Sequence, residues 1–202
     1  MLLKRFFDCI FAFLGLLLTS PVFAILGMMV IISMGRPIFF RQARAGFNGR
    51  EFTLVKFRSM REAYNDQGVP LPDTERITKI GRILRRYRLD ELPELWPIAV
   101  GEMSFVGPRP LPTDLIKAAG ILQMRSQVRP GLTGLSQVSG NTLLSNDEKF
   151  AIDLYYVNHF SLWKDLRILV ATISMIVGGE RCNEPVIRKA LQYASSVNRG
   201  SR

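Results

Sequence analysis

Asp90 and Glu91 stand side by side in Leu89-Asp90-Glu91-Leu92-Pro93, directly after a segment rich in arginine. Asp90 sits where an N-cap for a following helix is expected, and Pro93 falls in the first turn, where proline is tolerated. In isolation such a pair is most often a cap and nothing more. Arg82, Arg85, Arg86 and Arg88 change that reading, because cationic neighbours favour the ionised carboxylate. An ionised, positioned aspartate can attack phosphorus and form an acyl phosphate. On a pyrophosphate such chemistry ordinarily needs Mg2+, held by one or two carboxylates together with phosphate oxygens. Asp90 and Glu91 are therefore both the candidate catalytic pair and the candidate metal ligands.

A second element points to an anionic substrate. In Gly107-Pro108-Arg109-Pro110 the two prolines stiffen the backbone on either side of Arg109. A guanidinium on such an arm can bind phosphate oxygens in bidentate fashion. Arg129-Pro130-Gly131-Leu132-Thr133-Gly134 reads as a further rigid turn offering an arginine and backbone N–H groups. Other chemistries are excluded. His159 is the single histidine, which removes two-histidine metal sites, and Cys9 and Cys182 show no CxxC spacing. Neither GxGxxG nor GxxxxGK[ST] occurs.

The elements that must position these residues divide a chain of 202 residues with an uneven composition. Lys and Arg number 27 against 17 Asp and Glu, a formal charge of +10, yet mean hydropathy is +0.13. With 48% apolar residues, disorder is excluded. The conflict resolves in space. Cys9 to Met34 carries no charge; as a straight helix it would be about 39 Å long, more than the bilayer core. It is too long for a cleaved signal peptide and has no A-x-A site after it. Pro21 breaks the helical pattern near the middle, and the hydroxyl of Ser20 is placed to satisfy a freed carbonyl. Lys4 and Arg5 precede the run; Arg36, Arg41, Arg44, Arg50, Lys56 and Arg58 follow it. Positive residues mark the cytoplasmic side. A hairpin broken at Ser20-Pro21, entering and leaving on one face, satisfies both flanks. A kinked spanning helix is the competing reading.

The expected organisation is a re-entrant helix-break-helix membrane hairpin over residues 1–36, a cytosolic catalytic domain over 37–180 and a polar tail over 181–202. The domain reads as α-rich α+β. Ile38-Phe39-Phe40 and Phe52-Thr53-Leu54-Val55 are strand-like runs around a Gly46–Gly49 turn. Asn65 to Asp73 is a polar loop. Ile77, Ile80, Leu84 and Tyr87 recur at helical spacing among basic residues, an amphipathic helix suited to anionic lipid. Ser145-Asn146-Asp147-Glu148 is a capping box opening a helix through Asn158. Ser161 caps another, with Leu162, Leu166, Leu169, Val170, Ile173 and Val177 on one face, suited to core packing or to docking at an interface.

Taken in order, these blocks resemble the small monotopic phosphoglycosyl transferases of the bacterial sugar transferase family. The matching pieces are Lys4-Arg5…Asp8 before the Ser20-Pro21 hairpin, then FxQxRxGxxGxxFxxxKFRxM from Phe40 to Met60. Leu89 to Pro93, Met103 to Pro110, Arg129 to Gly140 and Trp163-Lys164-Asp165-Leu166 complete the set. The resemblance implies transfer of a sugar 1-phosphate from a UDP-sugar to polyprenyl (undecaprenyl) phosphate, releasing UMP. It assigns Asp90 as nucleophile, and Glu91 as Mg2+ ligand or as base toward the lipid phosphate. Arg109 would hold substrate phosphate, joined by Arg88, Arg129, Lys56 and Arg58. It also implies a bacterial inner-membrane protein on the cytoplasmic face, in contact with phospholipids, with homo-oligomerisation left open. The chain departs from the usual pattern at Tyr87, Arg88, Glu94, Pro97 and Glu102, which add charge and bulk beside the pair.

Two other classes compete. A non-enzymatic adaptor would use the basic face on anionic lipid. A membrane-tethered nucleic-acid binder is disfavoured, since no recognised motif appears and the aromatics form no basic stacking platform.

Overall fold

The computed structural model describes residues 2–113 and 122–200. It is helix-rich, with one long apolar N-terminal helix and a small domain holding two two-stranded sheets among the described residues. Met1, residues 114–121 inside the expected catalytic domain and the last two residues of the expected tail lie outside the described set.

Helix α1 runs from Leu2 to Met34 with Pro21 inside it. Two helices separated by a break were expected at this point, and the helical span is continuous. The reason is local. Pro21 offers no N–H to Leu17, and the Ser20 hydroxyl donates to that carbonyl at 2.8 Å; Thr19 Oγ1 donates to Gly15 O at 2.6 Å. Gly35, at φ +70, closes the helix.

Both ends of α1 rest on the same domain. At the N-terminal end Lys4 pairs with Asp165, Arg5 donates to the carbonyls of Ile98 and Ala99, and Asp8 accepts from Ser104 Oγ at 2.8 Å. Asp165 also accepts from the buried Tyr156 hydroxyl at 2.7 Å. Near the C-terminal end Leu26 and Val30 pack with Phe57 and Leu84. Arg58 donates to Met34 O at 3.2 Å. Between these anchors Leu17, Leu18 and Ile25 are exposed.

β1 (Phe39–Ala45) and β2 (Glu51–Phe57) form an antiparallel hairpin, with Arg44 opposite Phe52. The turn expected at Gly46–Gly49 is present, and Asn48 and Gly49 take positive φ. Phe52 and Leu54 share one face of β2 and enter a core with Ala12, Leu95, Ile98 and Met103. α2 (Lys79–Arg86) starts at Thr78, whose side chain accepts from Gly81 N. Leu84 is fully buried, whereas Tyr87, placed on the same apolar stripe by spacing, lies beyond the helix and is exposed. Gly81 permits a close approach: a Cβ there would lie 1.8 Å from Ser59 O.

A 3-10 segment over Leu89–Glu94 leads into α3 (Leu95–Val100). β3 (Ser104–Val106) pairs in parallel with β4 (Gly131–Thr133). α4 (Asn146–Asn158) opens with the expected capping box, Ser145 Oγ accepting from Glu148 N and Glu148 accepting from Ser145 N. α5 (Leu162–Gly178) is capped by Ser161 and stopped at Gly179. Its face of Leu162, Leu166, Leu169, Val170, Ile173 and Val177 is exposed, so core packing is not its role. α6 (Glu184–Gly200) lies in the segment read as a polar tail, and its Ile187 and Ala190 are buried with Ile152 of α4.

Candidate active site

Three side chains on two elements make the centre of the site. Residues alternate across a strand, so Lys56 shares the inward parity of Phe52 and Leu54. A cation at the end of an apolar strand face must find carboxylates where it emerges. It finds two. Lys56 Nζ lies 2.6 Å from Glu91 Oε1 and 3.0 Å from Glu94 Oε1. Glu91 and Glu94 stand three apart in a 3-10 segment, where residues i and i+3 eclipse, so both face one lysine.

Glu91 collects further cations. Arg109 Nη2 lies 3.4 Å from Oε1, and Arg88 Nη1 lies 3.2 Å from Oε2. Burial alone would raise the pKa of Glu91, but Lys56, Arg109 and Arg88 together hold it below the usual glutamate range. Glu91 is an ionised counter-charge. Asp90 is as buried as Glu91 but differs in its partners. It is 8% exposed, and no side chain among the described residues makes a hydrogen bond or ion pair with its carboxylate. Burial, and then the charge of Glu91, push its pKa up, while Lys56 and Arg85 pull it down. One carboxylate of the adjacent pair is saturated with cations; the other accepts from its own backbone N–H and has no side-chain partner among the described residues. Among the described residues no three histidine, cysteine or acidic groups converge as a protein-only metal cage.

Not every arginine expected on phosphate is here. Lys56, Arg88 and Arg109 join the carboxylates. Arg58 instead donates to the carbonyls of Met34, Pro37 and Met60, tying the end of α1 to the hairpin. Arg129 donates to Gly101 O at 2.7 Å and lies 5.0 Å over the Phe47 ring. The structure gives Arg58 and Arg129 no contact with Asp90 or Glu91 among the described residues. Ser20 and Pro21 lie within α1. Glu94, Arg85 and Arg44 are additions to the expected set. Glu94 carried a signal in its i+3 spacing from Glu91 and in the inward parity of Lys56.

The glycine-rich turn has a packing role. A Cβ on Gly131 would lie 2.1 Å from Gly107 N, one on Gly107 2.3 Å from Arg129 O, and one on Gly134 2.1 Å from Gly107 O. Backbone lies directly on backbone here, fixing where the Arg109 arm departs.

With this geometry in place, the chain can be set beside known proteins. The family described as bacterial sugar transferase matches residues 1–179. The chain belongs to that family. It is 40% identical over 181 residues to the uncharacterized sugar transferase EpsL of Bacillus subtilis (strain 168), covering 89% of this chain and 90% of EpsL. Against the exopolysaccharide production protein ExoY of Rhizobium meliloti (strain 1021), identity is 39% over 193 residues, covering 86% and 84%. It is also 38% identical over 186 residues to the UDP-glucose:undecaprenyl-phosphate glucose-1-phosphate transferase of Escherichia coli (strain K12). That match covers 85% of this chain and 39% of the larger relative. The chain thus spans most of the small family members and about two fifths of the large one.

Glu94 gives the site a pH signature. Burial pushes its pKa up to about 7, Glu91 adds to the rise, and Lys56 offsets part of it, against 4.5 for a free glutamate. Below pH 4.5 folded and unfolded forms are both protonated, and ionisation has no effect on stability. Between 4.5 and 7 the unfolded chain ionises first, so stability falls as pH rises and then levels off. Glu94→Gln removes this dependence. The thermal midpoint of the variant relative to the parent, in detergent with EDTA, is expected to rise across that window; a constant difference would contradict the burial account.

Proposed function

We propose that the protein is a phosphoglycosyl transferase, moving a sugar 1-phosphate from a UDP-sugar to polyprenyl phosphate through an aspartyl intermediate. The observation that carries this reading is the split between the two carboxylates. A carboxylate paired to three cations is a poor nucleophile, while Asp90 has no ion-pair partner among the described residues and lies within the field of Lys56 and Arg85. An Asp90 oxygen attacks the phosphorus attached to the sugar. The bond from that phosphorus to the bridging oxygen breaks, and UMP leaves with the electron pair. An oxygen of the polyprenyl phosphate then attacks the same phosphorus, forming polyprenyl-diphosphate-sugar and regenerating the carboxylate.

Lys56, Arg88 and Arg109 are positioned to exchange their contacts on Glu91 for phosphate oxygens. Arg109, with its side chain 38% exposed, is the most accessible of them. Asp90 and Glu91 fit Mg2+ in the manner of a site completed by phosphate and water rather than by protein alone. When bound, the ion would neutralise phosphate charge as UMP departs. The names of relatives support the substrates: the E. coli protein is a UDP-glucose:undecaprenyl-phosphate glucose-1-phosphate transferase, and an Erwinia amylovora relative is a UDP-galactose-lipid carrier transferase. ExoY is named for exopolysaccharide production, which fits a first membrane step of glycan assembly.

The acceptor phosphate lies at headgroup depth, and the membrane contacts suit that level. A spanning α1 would carry Lys4 and Met34 to opposite sides of a core roughly 30 Å thick. Both touch the same domain, through Asp165 and Arg58. This supports a re-entrant helix on the cytoplasmic face of the inner membrane, with the exposed apolar face of α5 lying against phospholipid.

With Mg2+ and a panel of UDP-sugars, Asp90→Asn is expected to lower UMP release by more than about a thousandfold while the protein stays with the membrane. Retained turnover in that variant would remove Asp90 as nucleophile. With Cys9 and Cys182 replaced by serine, Leu2→Cys is expected to resist an impermeant thiol reagent applied from the periplasmic side. Labelling from that side would overturn the hairpin.

A further inference from the structure

The backbone around Arg109 is held to a degree that its two prolines do not explain. Four successive carbonyls each accept a hydrogen bond, and the donors come from three separate parts of the fold. Pro108 O accepts from Gly131 N at 2.9 Å, Arg109 O from Arg125 Nη2, Pro110 O from Arg44 Nη1 at 3.0 Å, and Leu111 O from Ala45 N at 3.2 Å. Two of the four donors are guanidinium groups, which is unusual company for a third arginine whose own charge must stay available.

Each of those two guanidiniums is itself fixed. Arg125 is 7% exposed; its Nε and Nη2 both lie 2.8 Å from Asp153 Oδ2, and Ser136 Oγ donates to Asp153 Oδ1 at 2.9 Å. Asp153 belongs to α4. Arg44 ends β1, and its Nη2 donates to Gln42 Oε1 at 2.5 Å. Burial and the neighbouring charge of Arg109 lower the pKa of Arg44, while Glu94 works the other way. A cation held against that cost has a geometric task. The carbonyls of Arg109 and Pro110 take one guanidinium from β1 and one braced by α4, and among the described residues the Arg109 side chain makes one long hydrogen bond, to Glu91.

We propose that Arg44 and the Arg125–Asp153 pair are positioning residues that clamp the backbone of Arg109 and aim its guanidinium at the donor diphosphate. They act through Arg109 and make no contact with the ligand. This rests on the reading of the site as a UDP-sugar site. The prolines restrict φ at 108 and 110, and the clamp supplies what they leave undetermined, the direction of the arm between β1 and α4.

The test is a double-mutant cycle read on UDP binding to the purified full-length protein in detergent, with Arg44→Ala, Arg109→Ala and the double variant. Arg44→Ala is expected to weaken UDP about tenfold, and Arg44→Lys, which keeps one donor to Pro110, to recover most of the loss. In the Arg109→Ala background the Arg44 substitution is expected to have no further effect, since there is nothing left to aim. Arg125→Lys tests the other arm in the same way and is expected to show the same dependence on Arg109. Additive losses would make Arg44 a direct ligand and overturn the proposal. A loss in Arg44→Ala that Arg44→Lys does not recover would also overturn it. If the unaltered protein does not bind UDP, the reading of the site itself fails, which is a different result from additivity.

Discussion

Lys56 between Glu91 and Glu94 is the contact on which the arrangement of the site depends. Two buried carboxylates three residues apart repel one another, and neither can sit under a core without a cation. The lysine that supplies it comes from the end of β2, whose inward face also carries the core residues Phe52 and Leu54. One ion cluster therefore locks the hairpin to the 3-10 segment and fixes which way Asp90 faces. Removing one partner of such a buried cluster ordinarily costs about 3–5 kcal/mol, because the others are left without counter-charge. The same cluster gives the two neighbouring acids opposite properties. Glu91 pairs directly with Lys56, Arg88 and Arg109, whereas Asp90 has no ion-pair partner among the described residues. Adjacent carboxylates in one environment would have to share a role; these are separated by their partners.

The long helix and the domain are parts of one design at the membrane. α1 exposes most of its apolar surface, with Ala12, Leu26 and Val30 as the buried exceptions that seat it on the domain. α5 adds a second exposed apolar face. A soluble nucleotide-sugar and a lipid-bound phosphate can use one small site in turn if that site is held at headgroup level. In the proposed mechanism, covalent capture of the phospho-sugar removes the need to accommodate both substrates at once.

Much of this was legible in the residues. The β-hairpin, the capping box at Ser145 and the stop at Gly179 followed from alternation, spacing and cap chemistry. So did the bond from the Ser20 hydroxyl to the carbonyl that Pro21 frees. Lys56, expected on phosphate, pairs instead with Glu91 and Glu94. What escaped was the sorting of arginines. Arg58 and Arg129 belong to the same ordered set of motif blocks as Arg109, yet they hold backbone carbonyls of Met34, Pro37 and Gly101. An arginine in a motif serves a carbonyl or a phosphate according to what lies opposite it in space, and spacing does not report that. Gly131 and Gly134 looked like an anion-binding turn and serve backbone contact with Gly107. α6 escaped because its buried positions, Ile187 and Ala190, are few and sit among polar residues.

The central claim is that Asp90, and not its neighbour, carries the phospho-sugar. The direct measurement is to quench the protein with a turned-over UDP-sugar in the absence of polyprenyl phosphate, digest it, and locate the added mass by tandem mass spectrometry. The account predicts a sugar phosphate on Asp90 that is lost when polyprenyl phosphate is added before the quench. An adduct on Glu91 or Glu94, or UMP release with no adduct at all, would contradict it.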